Sequence, residues 1–271
     1  GVGSLFVRTV GCNFTCRGFS NPTNAEIEWG FNPTNYETLD DLPVIKMGCD
    51  SAYSWHKDFK HLWKTATVKE LATEILNTLP LSFNGSFSHP HTNQDIILTF
   101  TGGEPTSRLK FIVELLESSY LTGLKRVLFE TNASIPLTDS LIQRLNNIIV
   151  DRSIDVIFAN SPKLSISGEP RHIAIQPSVV IQQQSIYHVQ TYFKFVSDDS
   201  DASFDEIDNV VKEYIDNGVV ILPDDVLIMP VGATLTQQDD IDEKVAMKAL
   251  DRGYIFSPRS HVAVFGNRMG T

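Results

Sequence analysis

Ile96-Ile97-Leu98-Thr99-Phe100-Thr101-Gly102-Gly103-Glu104-Pro105 is an apolar, strand-like run that stops at two glycines and a proline, and the amphipathic stretch Ser107 to Ser119 follows. Proline suits the first position of a helix, because the N–H it lacks is one the helix start leaves unpaired anyway. The segment reads as strand, tight turn, helix. The same unit recurs in both directions along the chain. Strands are expected at Ser4 to Val10, Ile96 to Thr101, Arg126 to Glu130, Asp155 to Ala159, Gln190 to Val196 and Val226 to Met229. Helices are expected at Thr67 to Leu79, Ser107 to Ser119, Thr138 to Ile149, Ser203 to Asn217 and Asp240 to Leu250. This alternation predicts an α/β fold with a parallel sheet and crossover helices. In the fourth helix, Phe204, Ile207, Val210, Val211, Tyr214 and Ile215 form a core-facing stripe, and Asn217-Gly218 is a stop signal.

Two stretches break the rhythm. Residues Arg17 to Gly48 are rich in Asn, Pro, Thr and Gly, and a loop of that length inside a compact domain is usually functional or mobile. Ser165 to Ser185, with its Gln182-Gln183-Gln184 tract, is a second excursion. No internal repeat or sharp change of composition marks a boundary, so residues 1–271 are expected to form one domain. The chain opens on Gly1 directly in a strand pattern, and a further N-terminal segment is expected.

A net charge of −11 argues against a broad phosphate-binding face, since nucleic-acid binders cluster Lys and Arg. A small-molecule substrate is the better expectation. No apolar run approaches the roughly 20 residues of a membrane span, and Gly1 to Val10 is too short for a secretory signal, so a cytoplasmic protein is expected.

Three cysteines cannot all pair, and their uneven spacing is unlike a disulfide scaffold. Cys12 and Cys16 lie on the loop leaving the first strand, where parallel sheets of this kind build their sites, and Cys49 follows far downstream. Three readings stay open on the residues alone. Free cysteines are common small core residues. Three thiolates completed by His56 or His61 would hold zinc. Three thiolates on a cubane would leave one iron open to an external ligand.

Cys12-x3-Cys16 followed by Cys49 resembles the CxxxCxxC loop of radical S-adenosylmethionine enzymes, with residues 17–48 where that loop has two. Thr101-Gly102-Gly103-Glu104-Pro105 resembles the GGEP motif of the same superfamily. Within it, further matches run in chain order and are similar to the 7-carboxy-7-deazaguanine synthase family. They are Phe6-Val7-Arg8-Thr9, Cys49-Asp50-Ser51-Ala52-Tyr53-Ser54-Trp55, Glu130-Thr131-Asn132, Ser161-Pro162-Lys163, Phe193-Lys194-Phe195-Val196 and Ser260 to Arg268.

The resemblance implies a partial (β/α)6-type TIM-like barrel. It implies a 4Fe–4S cluster, S-adenosylmethionine and Mg²⁺, and a carbon–nitrogen lyase reaction belonging to queuosine-type biosynthesis. In that reaction a 5′-deoxyadenosyl radical abstracts a hydrogen from 6-carboxy-5,6,7,8-tetrahydropterin. The pterin then contracts to 7-carboxy-7-deazaguanine with loss of ammonia. Cys12, Cys16 and Cys49 match the cluster ligands, and Ser51 matches the hydroxyl that reaches Mg²⁺. Gly102, Gly103, Glu104, Asn132, Ser161 and Lys163 match the S-adenosylmethionine side. Arg8 matches the position that binds the pterin carboxylate, and a guanidinium fork suits that contact. Thr101 and His261 match positions beside the substrate at strand ends, and Lys194 is read as a strand residue at the barrel mouth.

The family's pterin-reading glutamate, in a Gln-Gly-Glu-Gly motif, falls upstream of Gly1. A homodimer and an electron donor such as a flavodoxin or ferredoxin are implied, and the 17–48 insertion is expected to be a lid or partner-binding element. The rival readings are an activase that installs a glycyl radical in a partner protein, and a non-catalytic zinc scaffold.

Overall fold

A computed structural model describes residues 2–268 with the exception of Pro22, Asn24 and Asn267. Asn267, part of the terminal match, therefore lies outside the described residues, as does Gly1. Seven parallel strands pair in chain order: β1 (Ser4–Thr9), β2 (Ile97–Gly102), β3 (Arg126–Thr131), β4 (Asp155–Asn160), β5 (Gln190–Ser197), β6 (Val226–Pro230) and β7 (Ile255–Phe256). Six match the expected strands to within a residue or two. The seventh is new, because two residues are too few to carry a periodic signal. The main crossover helices are α1 (Val68–Thr78), α2 (Leu109–Glu117), α3 (Asp139–Arg152), α6 (Asp201–Asp216) and α8 (Asp242–Asp251). The excursion at 165–185 contributes α4 (Arg171–Ala174) and α5 (Pro177–Gln184), and α7 (Leu235–Asp239) and α9 (Ser260–Phe265) complete the set. This sequential parallel sheet is compatible with a TIM-like partial barrel.

Alternation along each strand sorts the side chains into two faces. Leu98, Phe100, Val127, Phe129, Val156 and Phe158 turn to the helices and are buried. Phe129 stacks on Phe100 and Phe158 at centroid distances of 5.5 and 5.0 Å. Each such ring removed from water contributes about 2–3 kcal/mol. Farther along the sheet, Phe193, Phe195, Val226 and Ile228 pack against Phe204, Ile207, Val210 and Tyr214 of α6. The expected α6 stripe holds except at its end, where Ile215 is 51% exposed.

The opposite face carries Arg8, Thr101, Glu130 and Ala159, with Tyr192 and Lys194 beyond them. Registers Arg8↔Thr101, Glu130↔Ala159 and Ala159↔Tyr192 set them side by side toward the C-terminal ends of the strands.

The 17–48 insertion builds a small core of its own. Leu42 and Ile45 pack with Tyr53, Phe59 and Leu62, flanked by Trp29, Phe31 and Tyr36. Trp29 meets Phe59 edge-on at 5.1 Å, a favoured aromatic geometry. Among the described residues no helix is long and apolar enough to cross a membrane.

Candidate active site

The cysteine loop and the glycine turn are pressed together. A Cβ on Gly102, whose φ is +110°, would stand 2.4 Å from the Thr9 carbonyl oxygen, and one on Gly103 would stand 2.0 Å from that of Gly11. Glycine is therefore required at both, and the contact it permits is backbone to backbone. The Gly103 N–H donates to Thr9 O at 3.0 Å and the Glu104 N–H to Gly11 O at 2.8 Å. The sequence suggests that these glycines admit a ligand. In the structure they first admit the loop that carries Cys12.

Glu104 is fully buried. Its Oε1 accepts from the Thr106 N–H (3.0 Å), the Thr106 hydroxyl (2.7 Å) and the Thr131 hydroxyl (2.7 Å), and its Oε2 accepts from the Asn132 N–H (2.7 Å). A carboxylate accepts about four such bonds, so much of this side chain's capacity goes into joining β2, the turn and β3. Asn132 reaches back to the cysteine loop, donating from Nδ2 to Asn13 Oδ1 at 2.9 Å.

Cys12, Cys16 and Cys49 pack in one group with Phe14, Phe19 and Ala174, and none is in a disulfide. Cys16 is buried and has a φ of +47°, a left-handed conformation that costs a non-glycine residue on the order of 1 kcal/mol. Glu169 holds that bend: its Oε1 accepts from the Cys16 N–H (2.6 Å), the Thr15 N–H (2.7 Å) and the Thr15 hydroxyl (3.1 Å). Burial raises the pKa of all three thiols, that of Cys16 well above its usual value and that of Cys49 to about 12. The ammonium of Lys163 acts on each of them in the opposite sense, favouring thiolate. Its Nζ is also 3.1 Å from the Ser161 hydroxyl, so these two expected site residues sit together after β4.

Arg8 lies against two aromatic rings, 5.9 Å from the Phe6 centroid and 5.7 Å from that of Tyr53. Its guanidinium makes no ion pair or hydrogen bond with another described residue, so its donors stay open on the inner face of the sheet. Beside it, the Thr101 hydroxyl donates to Glu130 Oε2 at 3.2 Å and Lys194 Nζ to Glu130 Oε1 at 2.9 Å. Burial pushes the Glu130 carboxyl up, but Lys194, Thr101 and Arg8 together outweigh it and hold the carboxyl below its usual range.

The Asp50 carboxylate accepts from Arg259 Nη2 at 2.5 Å, tying the residue after Cys49 to the C-terminal segment. Burial raises its pKa, and Arg259, Arg8 and Ser51 overcome that so that it ends below normal. Ser51 Oγ donates to Asp50 Oδ1 at 3.3 Å. His261, expected at a strand end, instead lies in the first turn of α9, where Nε2 is 3.5 Å from Arg259 Nη2.

The donor set suits an iron–sulfur cluster: three cysteines pack in one group within the influence of the Lys163 ammonium, and each thiolate of a cubane binds its own iron. Among the described residues no three His, Cys, Asp or Glu side chains are gathered for a single metal ion. A zinc site would need sulfurs converging at about 2.3 Å from one point. His61 is occupied with the Tyr36 carbonyl at 3.1 Å, and His56 Nδ1 accepts from the Asp58 N–H at 3.3 Å.

Glu169, Arg259, Glu130 and Asn13 escaped the sequence reading as site builders. Glu130 and Asn13 lie inside motifs, Arg259 directly precedes one, and Glu169 is near none. Glu169 and Arg259 act across the whole chain, on loops without periodicity.

No family model matches the chain. It is similar to the 7-carboxy-7-deazaguanine synthase of Rhodopirellula baltica, 25% identical over 272 aligned residues that cover 100% of this chain and 82% of that protein. The enzyme of the same name from Halobacterium salinarum is 26% identical over 98% of this chain and 84% of its own length. That of Pyrobaculum aerophilum is 27% identical over 88% of each.

Proposed function

We propose that the chain belongs with the 7-carboxy-7-deazaguanine synthases it is similar to, and that it converts 6-carboxy-5,6,7,8-tetrahydropterin to 7-carboxy-7-deazaguanine by radical S-adenosylmethionine chemistry. The observation that carries this reading is the packing of Cys12, Cys16 and Cys49 in one group beside the Gly102-Gly103-Glu104 turn. When bound, a 4Fe–4S cluster with S-adenosylmethionine supplies one-electron cleavage of a C–S bond and so a radical able to take hydrogen from the substrate.

The residues of the chain do the rest. Cys12, Cys16 and Cys49 would hold the cluster as thiolates, with Lys163 offsetting their charge. The backbone of Gly102 and Gly103, with Asn132, Ser161 and Lys163, would line the S-adenosylmethionine side. The negative charge of Glu104, whose hydrogen bonds the fold already takes up, would favour its ammonium group nearby. Arg8 offers parallel N–H donors to the substrate carboxylate, held in place by Phe6 and Tyr53. Thr101 and His261 would flank the ring, and the Glu130–Lys194 pair would keep this part of the cavity polar. Ser51 would give Mg²⁺ a hydroxyl oxygen, a hard ligand suited to an ion that keeps several waters. A one-electron carrier of the flavodoxin or ferredoxin class would reduce the enzyme.

The test is anaerobic turnover of the pterin by reconstituted protein, with the product identified by mass. Product formation that rises on addition of Mg²⁺ is expected. A preparation that cleaves S-adenosylmethionine yet makes no product from the pterin would overturn the substrate assignment.

A further inference from the structure

The chain has three tryptophans, and two of them spend their indole N–H on oxygen: Trp29 on Asp58 Oδ2 at 3.0 Å and Trp63 on the Tyr53 carbonyl at 2.8 Å. Trp55 differs. Its indole nitrogen is buried and has no hydrogen-bond partner of ordinary geometry among the described residues. A buried donor without an acceptor costs about 1–3 kcal/mol and calls for an explanation.

The local fold places that donor beside Cys49. After Cys49 the chain turns through the short 3-10 segment Ala52–Ser54, closed by the Trp55 N–H on the Ala52 carbonyl at 3.0 Å. The turn brings the indole back so that Trp55 and Cys49 line one small cavity whose other polar groups belong to Thr15, Arg17, Glu26, Trp29 and His56. Both also pack against the insertion's core, which fixes the ring from behind. Trp55 is the nearby side chain whose hydrogen-bonding group favours the thiolate form of Cys49.

We propose that the indole N–H of Trp55 donates to the Cys49 sulfur once that sulfur is a cluster ligand, and that this bond sets the cluster's reduction potential. The inference rests on the reading of the three cysteines as ligands. A thiolate is a far better acceptor than a thiol, so ligation of Cys49 would give this donor a full partner. Reduction adds negative charge that spreads onto the sulfurs, and an N–H aimed at one of them favours the more negative state. Trp55 acts through Cys49 and is a tuning residue, distinct from groups that touch substrate.

Wild type and Trp55→Phe are reconstituted anaerobically and their clusters titrated against potential, with the reduced form followed by electron paramagnetic resonance. Trp55→Phe keeps a ring in the cavity and removes only the donor. Its cluster is expected to show about a tenfold lower reduced-to-oxidised ratio at a given potential, equal to about 59 mV for a one-electron couple. An unchanged potential with full iron content would overturn the inference and leave Trp55 a space-filling ring.

A second measurement needs no variant. With ¹⁵N-indole tryptophan in the wild type, electron–nuclear double resonance of the reduced cluster should show an indole nitrogen coupling and an exchangeable proton. Because the other two indoles are already bonded to oxygen, the coupling reports Trp55, and its absence would likewise overturn the bond. Failure of the wild type to assemble a cluster would instead remove the premise and the proposed function with it.

Discussion

Cys12 and Cys16 reach the site on a short loop held from several sides, whereas Cys49 returns to it through the long 17–48 insertion. Gly11 bonds to Ser54 and Glu104, Asn13 to Asn132, Thr15 and Cys16 to Glu169, and Gly18 to Ser167. The return to Cys49 relies more on packing: its aromatic core gathers around Phe59, with Trp29 bonded to Asp58, Tyr36 to His61, Gly48 to Phe19, Lys46 to Gln237 and Asp50 to Arg259. A position can be secured by hydrogen bonds to its neighbours or by a small core built into the connecting segment. The second route tolerates a long connection, since loop-closure entropy grows only slowly with length once the segment packs on itself.

The comparison has a common end point. Cys12→Ala and Cys49→Ala should each abolish reductive cleavage of S-adenosylmethionine, a loss of at least about a hundredfold, because both routes deliver a ligand to one cluster. Retained cleavage in either variant would remove that cysteine from the site.

Phe59→Ala separates the routes. Phe59 is fully buried, and its truncation should cost about 3–5 kcal/mol. Hydrogen exchange should show the loss in the insertion while β3 stays protected. A uniform loss across the sheet would mean that the insertion core is not a separate unit. On the other side, Glu169→Ala leaves the Cys16 N–H without its acceptor and releases a strained backbone. About 2 kcal/mol and faster loss of iron to a chelator are expected, with no change in the exchange of the insertion.

The smallest effect is that of Arg259→Ala. Asp50 is 37% exposed on its side chain, so solvent screening limits the pair to about 1 kcal/mol. Its folded pKa lies below its unfolded value. The stabilisation is therefore complete above the ordinary carboxyl value of about 3.9 and is lost as pH falls through the lower folded value. Thermal unfolding should show a gap between wild type and variant at neutral pH that closes in acid.

The sheet was legible because each strand alternates and each helix repeats, as in Leu98, Phe100 and the α6 stripe. Local motifs also singled out Cys12, Glu104 and Lys163, and the fold brings these three segments near one another. What resisted reading has no local signature. Ile255–Phe256 is a strand only because β6 lies beside it. α5 grows from a glutamine tract in which Gln182 and Gln184 bond to other segments. Glu169 and Arg259 matter through partners 153 and 209 residues away, and even the match that begins at Ser260 gives no sign of the Arg259–Asp50 pair. Glu104 shows a related limit, since a motif names a residue without saying how much of its bonding the fold consumes.

The most direct test is the metal content of the wild-type protein after anaerobic reconstitution with iron, sulfide and zinc together, read by chemical analysis and Mössbauer spectroscopy. About four irons per chain in a cubane, with one iron site changed by added S-adenosylmethionine, is the result expected. One tightly held zinc per chain and no cluster would contradict the account.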